Sequence, residues 1–133
     1  MKDVKIVSLD NRGRLVVPKH VRKSLGFTED TQLMMIADSE SKKITITPVG
    51  LDKDQNPLKL KIKIKDSPGS LAKIAKAFGD LGISLMYGES AILERDKTAI
   101  WTVISPRPDI PFERLKKRLI SEGNAIEVEI IPL

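Results

Sequence analysis

The chain has no cysteine, one histidine and only five aromatic rings (three Phe, one Trp, one Tyr) in 133 residues. Without cysteine there is no disulfide, no thiolate nucleophile and no zinc-thiolate site. One histidine cannot build a histidine cluster around a transition metal, so neither a metal nor another cofactor is expected. No stretch approaches the roughly 18 to 20 apolar residues of a membrane helix. Lys2, Asp3 and Lys5 interrupt the N-terminal region where a signal peptide would be apolar. These absences point to a soluble, cytoplasmic protein with no membrane partner.

A more local absence is informative. Asn11 to Leu25, NRGRLVVPKHVRKSL, contains Arg12, Arg14, Lys19, Arg22 and Lys23 but no carboxylate. The formal net charge of the chain is +5, and this segment alone supplies it. A charge kept for solubility would be spread and mixed with acids. One gathered in fifteen residues suits a polyanion, and double-stranded DNA is the expected partner. The competing reading is a solvated surface face. His20, a lone histidine, is expected to be structural or peripheral.

Gly50 to Pro57, GLDKDQNP, has no periodicity and divides the chain into residues 1–49, a connector at 50–57 and residues 58–133. In the first part, Val4 to Leu9 and Leu15 to Val17 read as strands around a turn at Asp10 to Gly13. Pro18 is placed to open a short helix over Lys19 to Leu25, with Gly26 as its stop. Gln32 to Ala37 and Lys43 to Pro48 read as a hairpin. So short a segment buries little apolar surface, and chains below roughly 40 to 60 residues are marginal alone. A homodimer pooling two copies is therefore expected.

The second part reads strand, helix, strand, strand, helix, strand, a ferredoxin-like βαββαβ order. Leu58 to Lys65 alternates apolar and Lys. A helix follows Asp66-Ser67-Pro68-Gly69 and runs to Leu81, with Leu71, Ile74, Ala75, Phe78 and Leu81 inward. Ser84 to Glu94 and Lys97 to Ile104 form a hairpin about Arg95-Asp96. Pro111 starts a second helix, with Phe112, Leu115, Leu119 and Ile120 inward and Gly123 as its stop. Ala125 to Ile131 is the last strand. The overall fold class is α+β.

These residues carry two resemblances. Val7 to Thr47, through GRLVVPKHVRKSLGF and the LMMIAD and KKITITP strands, resembles the AbrB-type swapped-hairpin DNA-binding domain of transition-state regulators and some antitoxins. The resemblance implies an interlocked homodimer that binds DNA, with Arg14, Arg22 and Lys23 at the family's basic positions. Family members often carry a basic residue midway along the first strand, where Val7 or Ser8 stands here; Arg12 in the turn is a substitute. Leu58 to Leu133, through DSPGSLAKIAKAFGDLGISL, resembles an ACT domain. That resemblance implies an amino-acid effector, with Asp66, Ser67, Pro68, Gly69, Ser70 and Leu71 as one wall of its site and Ser84 and Met86 as the other. It also allows a module that only oligomerises.

The residues themselves leave simpler readings open. Asp66 or Ser67 before Pro-Gly is also a good helix cap. Lys59, Lys61, Lys63 and Lys65 look like a nucleic-acid stripe, but the last strand should set Glu127 and Glu129 beside them. Glu89 and Glu94 are odd-spaced on a strand, so they should face opposite sides and form no acid–base pair. With no catalytic constellation, an enzyme is not expected. The reading is a DNA-binding transcriptional regulator, a homodimer or higher homo-oligomer, with a metabolite-sensing second half. The alternatives are an antitoxin-like protein whose second half binds a protein, and a regulatory subunit of a biosynthetic enzyme.

Overall fold

The computed structural model describes residues 2–50 and 56–133. The chain divides into two compact units, Met1–Gly50 and Leu51–Leu133. Of the connector expected at 50–57, residues 51–55 lie outside the described residues.

The first unit holds helix α1 (Lys19–Leu25) and an antiparallel hairpin of β1 (Leu33–Asp38) and β2 (Lys43–Pro48). The hairpin register pairs Met35 with Ile46 and Ala37 with Ile44. Leu33, Met35, Ala37, Ile44, Ile46 and Pro48 therefore share one face, since alternate residues of a strand point the same way. Among the described residues nothing covers that face: Met35 is 64% and Ile44 59% exposed. The strands expected at 4–9 and 15–17 do not form in the single chain. Their turn does, with Asp10 N–H donating to Arg14 O at 2.9 Å, but a two-stranded ribbon with no covering layer is at best marginal in water. Ile6 is 98% and Val4 85% exposed. Among residues 2–50 none is buried.

The second unit has the opposite character. Its elements are β3 (Leu58–Lys65), α2 (Ser70–Asp80), β4 (Tyr87–Glu94), β5 (Thr98–Ser105), α3 (Phe112–Ser121) and β6 (Glu127–Pro132). The sheet order is β4-β5-β3-β6, all neighbours antiparallel, which is the ferredoxin-like arrangement. β3 buries each alternate residue: Leu58, Leu60 and Ile62 are wholly buried and Ile64 nearly so. Each such side chain contributes about 1.5–3 kcal/mol relative to exposure. They meet Val103 and Trp101 from β5, Ile74, Ala77 and Phe78 from α2, and Leu115 and Leu119 from α3. Phe78 and Trp101 touch edge to face at 5.9 Å between ring centres.

Three expectations about the helices change. On α2, Ala77 is buried while Leu71 and Ala75 are exposed. On α3, Ile120 is exposed. Gly123 is not the left-handed stop of α3; that conformation belongs to Asn124, with φ 58°. Gly123 instead permits close packing, because a Cβ there would sit 2.5 Å from Ile74 Cδ1 and 2.7 Å from Leu119 O. Period-3.6 counting found both faces but could not see where the sheet ends beneath them.

Candidate nucleic-acid interface and ligand loop

The basic segment folds as a turn followed by a helix. Gly13 takes φ 73°, which a β-carbon would oppose. Asp10 organises the turn: its Oδ1 accepts the backbone N–H of Arg12 and of Arg14, each at 2.9 Å. Its Oδ2 accepts Arg14 Nε at 2.7 Å. Arg14 is therefore held back on Asp10 and does not project freely. The acid that pairs it stands one residue before the acid-free run. The Arg14 amide, then its guanidinium, then the Arg12 amide hold the Asp10 carboxyl below its ordinary value. The Arg14 side chain is still 66% exposed, and such an open pair is readily exchanged for another anion.

Helix α1 begins after Pro18, whose φ of −56° suits a helix entry and whose carbonyl accepts Val21 and Arg22 N–H. Gly26, at φ 71°, ends it: Gly26 N–H donates to Lys23 O and Phe27 N–H to Arg22 O, the double bond of a Schellman stop. Arg22 and Lys23 occupy the last turn, where cations complement the negative helix end. The structure brings Lys19, Arg22 and Lys23 around one cleft of about 450 Å³, together with Phe27, Thr28 and Glu29. Arg12 lies apart from them in sequence, in the turn beside Arg14. Among the described residues, none of the side chains of Arg12, Lys19, Arg22 and Lys23 forms an ion pair. His20 Nε2 lies 2.9 Å from Asp3 Oδ2, so it is engaged at the surface.

The loop after β3 does not cap the helix that follows it with a side chain. Asp66 Oδ2 accepts the Asp96 amide at 2.7 Å, and Asp66 N–H donates to Lys97 O. Asp66 thus ties the loop to the β4–β5 turn, where Asp96 takes φ 63°. It caps no helix. Gly69, at φ 86°, is the residue before α2, and no side chain caps that helix. Ser67 and Ser70 pair hydroxyl to hydroxyl at 2.9 Å. Pro68 and Leu71 are exposed.

Ser84 and Met86 do not join this loop within one chain. Lys65 is opposite Thr98, while Tyr87 is opposite Ile104 and Met86 N–H donates to Ile104 O. The helix that leaves one end of the sheet returns the chain at the other. Ser84 borders instead a cleft with Leu81, Gly82, Ile83 and the segment Pro106 to Ile110.

On the sheet face away from the helices, Lys61 is opposite Glu129 and Lys63 opposite Glu127. Acids do flank the lysine ladder, as cross-strand pairing required. Glu89 and Glu94 do not face opposite sides. A bulge between Ile92 and Glu94 sets Glu89 against Thr102 and Glu94 against Thr98, which share a face. One extra residue restores the even spacing. Glu89 is occupied, accepting Tyr87 Oη–H at 2.9 Å. Burial and this hydrogen bond raise the Tyr87 hydroxyl above its ordinary value, the bond more than the burial. Among the described residues, no group of three or more His, Asp or Glu is placed to hold a metal ion, and no helix is long and apolar enough to cross a membrane.

Residues 6–54, under half of the chain, match the family described as antidote-toxin recognition MazE, bacterial antitoxin. No curated protein matches the sequence. Among solved structures, an uncharacterized protein from Thermotoga maritima is similar over 60% of this chain and 99% of its own, at 12% identity and a TM-score of 0.47. The C-terminal domain of the MgtC protein from Mycobacterium tuberculosis is similar over 62% and 93%, at 16% identity and a TM-score of 0.46.

Proposed function

We propose that the protein is a DNA-binding regulator whose first unit works as a homodimer and whose second unit is an ACT-like module that senses a small metabolite or joins dimers. The observation that carries this reading lies in the first unit. Its apolar residues are exposed or only half-buried, with none buried among residues 2–50, so one chain lacks the core that its sequence pattern describes. A second copy would supply strands for Val4 to Leu9 and a cover for the Leu33–Met35–Ile44 face. The same unit carries Arg12, Arg14, Lys19, Arg22 and Lys23 on its turn and helix. The likeness of residues 6–54 to a MazE antitoxin family supports a DNA-binding or antitoxin role.

In mechanism, each cation placed against a phosphate releases a condensed counterion, which makes binding strongly salt-dependent. A change at the second unit that alters how dimers associate would alter their joint hold on DNA. No catalysis is part of this reading, and its site of action is the cytoplasm.

A second reading, an antitoxin whose second unit holds a protein partner, is favoured by the description of the matched family as toxin recognition. A folded unit built on a core of buried Leu, Ile, Phe and Trp speaks for a regulatory module over a peptide tail. One experiment tests the part that both readings give to the first unit. Sedimentation equilibrium of the purified chain should give a dimer or a multiple of it, and duplex DNA of random sequence should bind with a steep salt slope. A monomer with no affinity for duplex DNA defeats the regulator reading.

A further inference from the structure

The cleft at the C-terminal end of α2 has a composition that the functions above do not use. It measures about 340 Å³, within the range of small-molecule sites. Leu81, Ile83 and Ile110 form its apolar wall, and all three pack on the core. The segment opposite them is Pro106-Arg107-Pro108-Asp109, in which two prolines fix φ and leave the backbone little freedom. Arg107 and Asp109 therefore stand on a stiff rim, two residues apart.

These two opposite charges do not pair with each other. Arg107 places its guanidinium 5.0 Å above the Phe112 ring, a contact that holds it through the ring face and leaves its donors open. Asp109 forms no hydrogen bond or ion pair among the described residues. Ser84 brings a hydroxyl to the same cleft, also without a partner among the described residues. An apolar wall, an open guanidinium, an open carboxylate and a hydroxyl form a set that would complement a particular kind of ligand. It has an anionic group, a cationic group and an aliphatic body.

We propose that this cleft binds a small aliphatic zwitterion of the free amino-acid type, its carboxylate on Arg107, its ammonium on Asp109 and its side chain against Leu81, Ile83 and Ile110. The Arg107 fork suits a planar carboxylate. The C-terminal end of α2, at Leu81, adds a negative dipole end that favours an ammonium nearby. This deepens the sensing role of the second unit while moving its site from the Asp66–Leu71 loop to the opposite end of the sheet. It does not depend on DNA binding.

The test is an amide-shift NMR titration of the full chain with L-leucine, L-isoleucine and L-valine, each alone. At least one should shift Gly82 to Ser84 and Arg107 to Ile110. Arg107→Ala and Asp109→Asn, both at exposed positions, should each weaken that amino acid roughly tenfold or more. N-acetyl-leucine and leucinamide, which each lack one charge, should bind worse than leucine. Shifts confined to Ser67–Leu71 would overturn the proposal while leaving amino-acid sensing in place. Binding unchanged in both variants, or no shift with any of the three amino acids, would overturn it as well.

Discussion

Arg14→Ala in the full chain removes one cation from each protomer's turn. Five cations per chain, Arg12, Arg14, Lys19, Arg22 and Lys23, give roughly ten per dimer, and with every one on a phosphate the logarithm of affinity falls with the logarithm of salt at a slope of about −9. Removing the two Arg14 side chains brings the slope to about −7. Over a rise from about 50 to about 200 mM salt, the parent then loses about five decades of affinity and the variant about four. The slope, unlike the affinity, is insensitive to general damage, so it is the quantity to measure, by fluorescence anisotropy of a labelled duplex at several salt concentrations. Asp10→Asn is the companion. Asparagine keeps the Oδ1 acceptor for the Arg12 and Arg14 amides while discharging the group that engages the guanidinium. It should bind DNA more tightly than the parent, with the turn intact. An Arg14→Ala slope equal to the parental slope would refute the placement of Arg14 on phosphate. An Asp10→Asn protein weaker than the parent would refute the idea that Asp10 competes with DNA for Arg14.

Gly123→Ala should destabilise the second unit by about 1–3 kcal/mol through overpacking, since its Cβ would press on Ile74 Cδ1 and the Leu119 carbonyl; thermal melting followed by the single tryptophan, Trp101, reads this out, and an unchanged melting temperature contradicts it. Asp66→Ala removes the acceptor of the Asp96 amide and should cost about 0.5–1.5 kcal/mol, measured by urea unfolding, without altering amino-acid binding at Arg107 and Asp109. Tyr87 is the only tyrosine, so ultraviolet titration reports it alone. Its raised value means that its contribution is present below pH 10.0 and is lost as pH rises through the folded-state value, and Glu89→Ala should bring the midpoint down. Asp10 has the opposite sign. Its lowered value means that its contribution is present above pH 3.8 and is lost as pH falls through the folded-state value, visible as an Arg14 amide shift with a midpoint below 3.8.

The second unit was legible because its signals were local and redundant. LKLKIKIK could only be a strand with one buried face, and the Lys61–Glu129 and Lys63–Glu127 pairs followed from topology plus alternation. The misses have specific causes. The bulge at Ile92/Glu94 adds a residue without marking the sequence, so simple alternation sends Glu89 and Glu94 to opposite faces. Asn124 took the left-handed stop of α3 because asparagine tolerates that conformation, which freed Gly123 for a contact that only three-dimensional packing reveals. Asp10 sits just outside the basic run, so that run does not reveal it as the partner of Arg14. In the first unit, the turn, helix and hairpin could be read from Gly13, Pro18, Gly26 and the β-branched runs. The outer strands do not form in one chain, where no residue of 2–50 is buried to hold them.

The distance between the Asp66–Leu71 loop and Ser84 has a consequence for any effector. Eight residues of strand separate the two ends of the sheet, about 26 Å at 3.3 Å per residue, far beyond the reach of one small molecule. An effector that touched both Gly69 and Ser84 would have to be shared between two chains. Its apparent affinity would then climb with protein concentration, and it would act as a glue whose potency depends on how many copies the cell holds.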